Sequence, residues 1–147
     1  MSDAVAPLRP IVSNALPDAA SAFVTGIIGD RPSQYAKTPP LWNAVYRALG
    51  WDAVSLPFDL EDANLAPFLD AARRTPALGG FSVTVPFKVA IVPLLDEVDP
   101  LARAIGAVNT VVRRADGTLA GYNTDGQGAI DSLTLALPGA GAPFLPS

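Results

Sequence analysis

The chain has no cysteine and no histidine in 147 residues. The first absence excludes disulfides and thiolate metal sites. The second removes the commonest general base together with the commonest metal ligand. Any acid–base chemistry therefore falls to Lys, Asp, Glu or Tyr. Charge is scarce as well, at 16% against an ordinary share of about 25%. The net charge of −4, with a sequence pI near 4.5, argues against nucleic acid, which needs a basic patch. Prolines and charges interrupt every apolar run before the roughly 18 residues of a membrane span, so no membrane partner is expected. Residues 1–20 lack a basic region followed by an apolar core, so neither a signal peptide nor any location but the cytoplasm is expected.

What the chain has in surplus is apolar surface: half its residues are hydrophobic and the mean hydropathy is +0.31. Such a surplus suits strands buried on both faces, or a surface awaiting a partner, either a second domain or a dimer edge. The length fits one domain that buries roughly two-thirds of its unfolded surface.

Residues 1–20 hold three prolines and little periodicity, which predicts a flexible arm. Residues 21–29 (SAFVTGIIG) are uncharged and β-rich, a buried first strand. A polar loop over 30–38 leads to Pro39-Pro40, which open a helix carrying Trp42, Val45, Tyr46 and Leu49 at helical spacing and ending at Gly50. Residues 52–58 are a second strand, with Pro57 marking an end or an edge position. A second helix spans 61–74, and Thr75-Pro76 with Gly79-Gly80 turn back into a third strand from Phe81. A helix over 87–95 and a short one over 99–105 follow, then a strand over 107–113. Asp116-Gly117 signals a hairpin into Thr118 to Tyr122, and Asn123 or Thr124 caps a last helix through about Leu137. The alternation of strand and helix implies an α/β fold: a three-layer α/β/α arrangement around a mostly parallel sheet, with one antiparallel hairpin strand. Residues 138–147 (PGAGAPFLPS) read as a disordered tail, and their Gly-Ala-Gly lacks the strand and helix of a dinucleotide turn.

The chemistry concentrates at Phe81 to Lys88 (FSVTVPFK), a strand that runs into a helix through Pro86. Lys88 then falls in the first helical turn, where the dipole disfavours a cation, at the strand end where α/β sheets bind ligands. That makes Lys88 a candidate proton carrier, although many lysines there simply reach solvent. Asn109 interrupts the apolar run 107–112 and either ties down a loop or meets a ligand, since a buried amide needs partners. Asp125 either stabilises the start of the last helix or holds Lys88. Thr84 either contacts a ligand or occupies a solvated sheet face. An ammonium, a carboxylate, an amide and a hydroxyl together suit a small polyhydroxylated acid.

Three blocks, Gly80 to Lys88 (GFSVTVPFK), Gly106 to Thr110 (GAVNT) and Gly121 to Gly126 (GYNTDG), resemble in order and spacing the signature blocks of shikimate dehydrogenases. The resemblance extends over about residues 22–135. It implies that 21–137 form the substrate-binding domain of an NADP-dependent oxidoreductase that reduces 3-dehydroshikimate to shikimate in aromatic amino-acid biosynthesis. It further implies Lys88 as the catalytic acid–base group, Asp125 as its partner, and Thr84 and Asn109 as contacts to substrate oxygens. Thr38 matches the second of two hydroxyl residues that face the substrate carboxylate. Ala36 stands at the first of those positions, leaving Tyr35 or Lys37 to serve, and Trp42 replaces a frequent histidine. The family's nucleotide-binding domain would follow residue 137 and is missing, so the chain alone is expected to be inactive. A non-catalytic module for a shikimate-like ligand, or an oxidoreductase half for a related substrate such as quinate, are the alternatives.

Overall fold

The computed structural model describes residues 2–136. Six strands form one sheet: β1 (Phe23–Gly29), β2 (Ala53–Asp59), β3 (Leu78–Val83), β4 (Glu97–Val98), β5 (Thr110–Arg113) and β6 (Leu119–Tyr122). Six helices accompany them: α1 (Pro32–Tyr35), α2 (Thr38–Leu49), α3 (Leu65–Arg73), α4 (Phe87–Ala90), α5 (Pro100–Ile105) and α6 (Asp125–Ala136). The strand order is β2-β1-β3-β5-β6-β4. β1 pairs in parallel with β2 and β3, and β4 with β6, whereas β5 is antiparallel to both β3 and β6. Five strands thus share a direction and one opposes them. The opposed strand is β5, the first arm of the Asp116-Gly117 hairpin, in keeping with the single antiparallel hairpin strand expected.

The core lies on one face of this sheet. Val24, Ile28, Leu56, Phe58, Phe81 and Val83 meet Phe68 and Leu69 of α3, Ala102 of α5 and Ile91, in one cluster. Phe68 sits at its centre, with ring centroids 5.3 Å from Phe58 and 5.5 Å from Phe81. On the opposite face α2 packs on β2 and β1, where Tyr46 shares a 3.0 Å hydrogen bond with Thr25 and Asn43 brackets the Ser55 backbone. Trp42, which stacks on Tyr46, lines a groove of about 280 Å³ over this face together with Phe23, Ser82 and Thr110. It therefore belongs to the sheet face, not to the strand ends. β2 is an edge strand, which is why Pro57 is tolerated in it.

Four expectations are corrected. Residues 2–20 are not a loose arm: Val5 and Leu8 are fully buried in the core. Proline removes backbone donors, so side chains fasten this segment instead. Arg9 pairs with Asp3 and donates to the carbonyls of Leu16 and Pro17, and Asn14 donates to the Pro57 carbonyl at 3.0 Å. Gly79 and Gly80 are not a turn but part of β3. A Cβ at Gly80 would lie 2.4 Å from the Val111 carbonyl oxygen, so β5 comes this close to β3 only because Gly80 lacks a side chain, while one at Gly79 would lie 2.2 Å from the exposed Phe23 ring and push it aside. The helix expected over 87–95 stops at Ala90, and Pro93 falls in a separate 3₁₀ turn. Lys88 therefore stands in a single helical turn, too short for the dipole argument to decide its behaviour. Part of the polar loop over 30–38 is the one-turn helix α1. The tail expected over 138–147 lies outside the described residues. Among the described residues no helix is long and apolar enough to cross a membrane.

Candidate active site at the strand ends

The topology brings distant polar residues to one edge. β1, β2 and β3 end side by side, with Gly29 paired to Asp59 and Ile28 to Val83. Because β5 runs the other way, it begins where β3 ends: Thr110 pairs with Ser82. Asn109, the residue before β5, is thereby carried to the same edge. Thr110 also pairs with Tyr122, so β6 ends there and delivers Asn123, Thr124 and Asp125 beside it. Lys88 arrives one turn after β3, and its carbonyl accepts from Val108 N at 2.8 Å, fixing α4 to the strand that follows.

Three of the five sequence-predicted residues are directly joined. Lys88 Nζ donates to Asp125 Oδ2 at 2.7 Å, and Asn109 Nδ2 donates to Asp125 Oδ1 at 2.8 Å. Asn109 Nδ2 also reaches Thr124 Oγ1 at 2.9 Å, while its Oδ1 accepts from Thr124 N at 3.0 Å and from Thr110 Oγ1 at 3.0 Å. Asn109 is 8% exposed and fully partnered, so it both ties down a loop and orients the carboxylate. Asn123 fastens the same turn: its Oδ1 accepts from Asp125 N and its Nδ2 donates to the Ala107 carbonyl. The Lys88 and Asp125 side chains remain 35% and 58% exposed, so both charged heads are open to solvent and to a ligand. Thr84 lies at the end of β3, its N–H bonded to the Ile28 carbonyl and its methyl against Gly29. Thr38 opens α2 on the neighbouring connection and makes no hydrogen bond with the other four.

The Lys88 ammonium and then the Asn109 amide hold the Asp125 carboxyl below its ordinary value, against the opposing effect of partial burial. A depressed folded-state carboxyl contributes stability above the unfolded-state value near about 3.9, and that contribution disappears as pH falls through the folded-state value. The carboxyl carbon shift of Asp125 is therefore expected to titrate below that of an exposed aspartate. Lys88→Met is expected to move its midpoint upward; an unmoved midpoint would show that the ammonium does not set it.

Residues 27–111 match the family model of the shikimate dehydrogenase substrate binding domain. The chain belongs to the shikimate dehydrogenase family. It is 48% identical over 110 residues to the NADP(+) shikimate dehydrogenase of Geobacter metallireducens, covering 75% of the chain and 37% of that relative. Among solved structures it superposes on the shikimate dehydrogenase of Aquifex aeolicus with a TM-score of 0.73 at 37% identity, over 84% of the chain and 45% of that protein. The quinate dehydrogenase of Corynebacterium glutamicum, solved with NAD, gives a TM-score of 0.72 at 36% identity, over 81% of the chain and 43% of that protein. The chain thus spans less than half the length of the relatives it matches. The family match includes Lys88 and Asn109; Asp125 lies past its last residue, and the hydrogen bonds above are what join it to them.

One group that sequence reasoning missed is the support behind α1. Asp59, 5% exposed, accepts from Ser33 N at 2.8 Å and Ser33 Oγ at 2.5 Å. Its own N–H is held by Asn14 Oδ1 at 2.9 Å. The one available signal was a carboxylate closing an apolar strand.

Proposed function

We propose that the chain binds a small polyhydroxylated cyclic acid of the shikimate type and supplies the proton-handling half of an NADP-dependent oxidoreduction. The observation that carries this reading is the Lys88–Asp125–Asn109 cluster, open to solvent at the strand ends of a domain in this family. Lys88 Nζ holds a proton where a substrate carbonyl oxygen would take on charge during reduction, and Asp125 both orients that ammonium and accepts from a neighbouring substrate hydroxyl. Thr84 contacts a further substrate oxygen, Asn109 does so by exchanging its bond to Thr124 Oγ1 for one to the ligand, and Thr38 faces the carboxylate. NADP(H), as named for the relatives, supplies or accepts the hydride. The described residues offer it no cradle: β1 leads through Asp30-Arg31-Pro32 into the one-turn helix α1, not through a glycine turn into a full helix. Hydride delivery is therefore assigned to none of the described residues.

The purified chain 1–147 is expected to bind shikimate, with amide shifts at Thr84, Asn109 and Asp125, and to show no NADPH-dependent turnover. Measurable turnover by the chain alone would overturn the second expectation, and no shikimate binding would overturn the first. Ala36 and the structural likeness to a quinate dehydrogenase favour a second reading, with quinate as the ligand. Quinate bound at least tenfold more tightly than shikimate would select it.

A further inference from the structure

We propose that Thr110 is a positioning residue for the strand-end cluster: its hydroxyl, donated to Asn109 Oδ1, sets the amide that faces Asp125 and the ligand. The inference rests on the function proposed above. Thr110 opens β5 in the middle of the sheet, paired with Ser82 of β3 on one side and Tyr122 of β6 on the other. Strands on both sides fix its backbone, and the branch at Cβ restricts its rotamers. Its side chain lines the groove beside Trp42 rather than the strand ends, so it acts on a ligand only through Asn109. Its Oγ1 nonetheless reaches Asn109 Oδ1 at 3.0 Å.

The Asn109 backbone is already fixed: its N–H donates to the Tyr122 carbonyl at 3.0 Å, and its carbonyl accepts from Val83 N at 2.8 Å. The direction of its amide is a separate matter. Three of its four side-chain hydrogen bonds, with Thr124 N, Thr124 Oγ1 and Asp125 Oδ1, go to the turn after β6. Thr124 and Asp125 are both exposed, and the Thr124 Oγ1 bond is the one given up when Asn109 turns to a ligand. The Thr110 hydroxyl makes the fourth bond, and among the described residues it alone ties the amide to a sheet strand. With that tie in place, the amide keeps its aim at Asp125 while the Thr124 Oγ1 bond is exchanged. A donor on Oδ1 also polarises the amide and strengthens the bonds that Nδ2 donates.

The test uses chain 1–147 with two substitutions at one position. Thr110→Val keeps the branched shape and the strand preference and removes only the hydroxyl. Thr110→Ser keeps the hydroxyl. The Asp125 carboxyl is followed by its carbon shift against pH, and shikimate binding by calorimetric titration. Lys88, the charged group paired with Asp125, is unchanged in both variants, so a moved midpoint reports the amide. The Asn109 amide is one of the groups that lower the Asp125 carboxyl, so Thr110→Val is expected to move the midpoint upward. It is also expected to weaken shikimate roughly fivefold, the scale of one neutral hydrogen bond. Thr110→Ser is expected to match the wild type in both measurements, whereas a merely structural threonine would change Tm alone. A midpoint that stays put in Thr110→Val, or that rises equally in Thr110→Ser, overturns this inference and leaves the proposed function standing. A wild type that binds no shikimate overturns both.

Discussion

Lys88→Ala is expected to lower turnover by about 10²–10⁴-fold, the range attributed to a positioned acid–base group. The measurement is kcat of residues 1–136 fused to the nucleotide-binding half of a relative such as the Geobacter metallireducens enzyme. Stability is expected to change little. The ion pair with Asp125 is partly exposed, and such pairs contribute about 0–1 kcal/mol. The Lys88 carbonyl, which holds Val108, is kept by any substitution. Lys88→Arg separates the two roles of the side chain. A guanidinium can keep the bond to Asp125 but does not release its proton near neutral pH, so KM is expected to stay near the wild-type value while kcat falls with the alanine variant. An arginine variant that turns over like the wild type would reduce Lys88 to an electrostatic anchor.

The parts of the fold legible in the sequence are those governed by local chemistry. Asp116-Gly117 announced its hairpin, and Gly117 does take a positive φ of 89° while Asp116 accepts from Thr118 N. Gly50 ends α2 in the left-handed region, as a C-cap should. What was not legible depends on contacts between distant segments. Gly79 and Gly80 look like a turn until Phe23 and Val111 are known to lie against them. The reversed direction of β5 cannot be read from an apolar run, since the same alternation suits either direction. The buried segment 2–20 is held by Arg9 and Asn14 reaching carbonyls, and such bonds leave no periodicity behind.

At the site, the same division holds. Lys88 and Asn109 are legible as polar residues in places that disfavour them and Asp125 as a carboxylate in a first helical turn, and the sheet direction explains why all three converge. Lys88 stands in a four-residue helix, whose dipole is small, and its ammonium is paired with the Asp125 carboxylate. Of the two readings of Asn109, the structure shows the tie for a loop. Its side chain fastens the Thr124 turn and still faces the carboxylate that meets solvent.

Asn109 carries the second large effect. Asn109→Leu is expected to destabilise the chain by about 3 kcal/mol, because it strands the Thr124 N–H beside an apolar group and releases Asp125. Asn109→Asp is the sharper experiment, being nearly the same shape. The acceptor that serves Thr124 N survives, while the donor aimed at Asp125 Oδ1 becomes a second carboxylate at 2.8 Å. Two carboxylates so close cannot both ionise freely, so the introduced group is pushed above the ordinary value of about 3.9. A carboxyl raised in the folded state costs stability above its folded-state value, and the cost vanishes once pH falls below the unfolded-state value. Chemical denaturation is therefore expected to show a deficit of roughly 2–3 kcal/mol at pH 7 that shrinks toward pH 4, where a protonated group again donates. The Leu variant has no group to protonate, and its deficit is expected to show no such recovery. A deficit in Asn109→Asp that does not narrow on acidification would mean that the amide's donation to Asp125 is not what holds the cluster together.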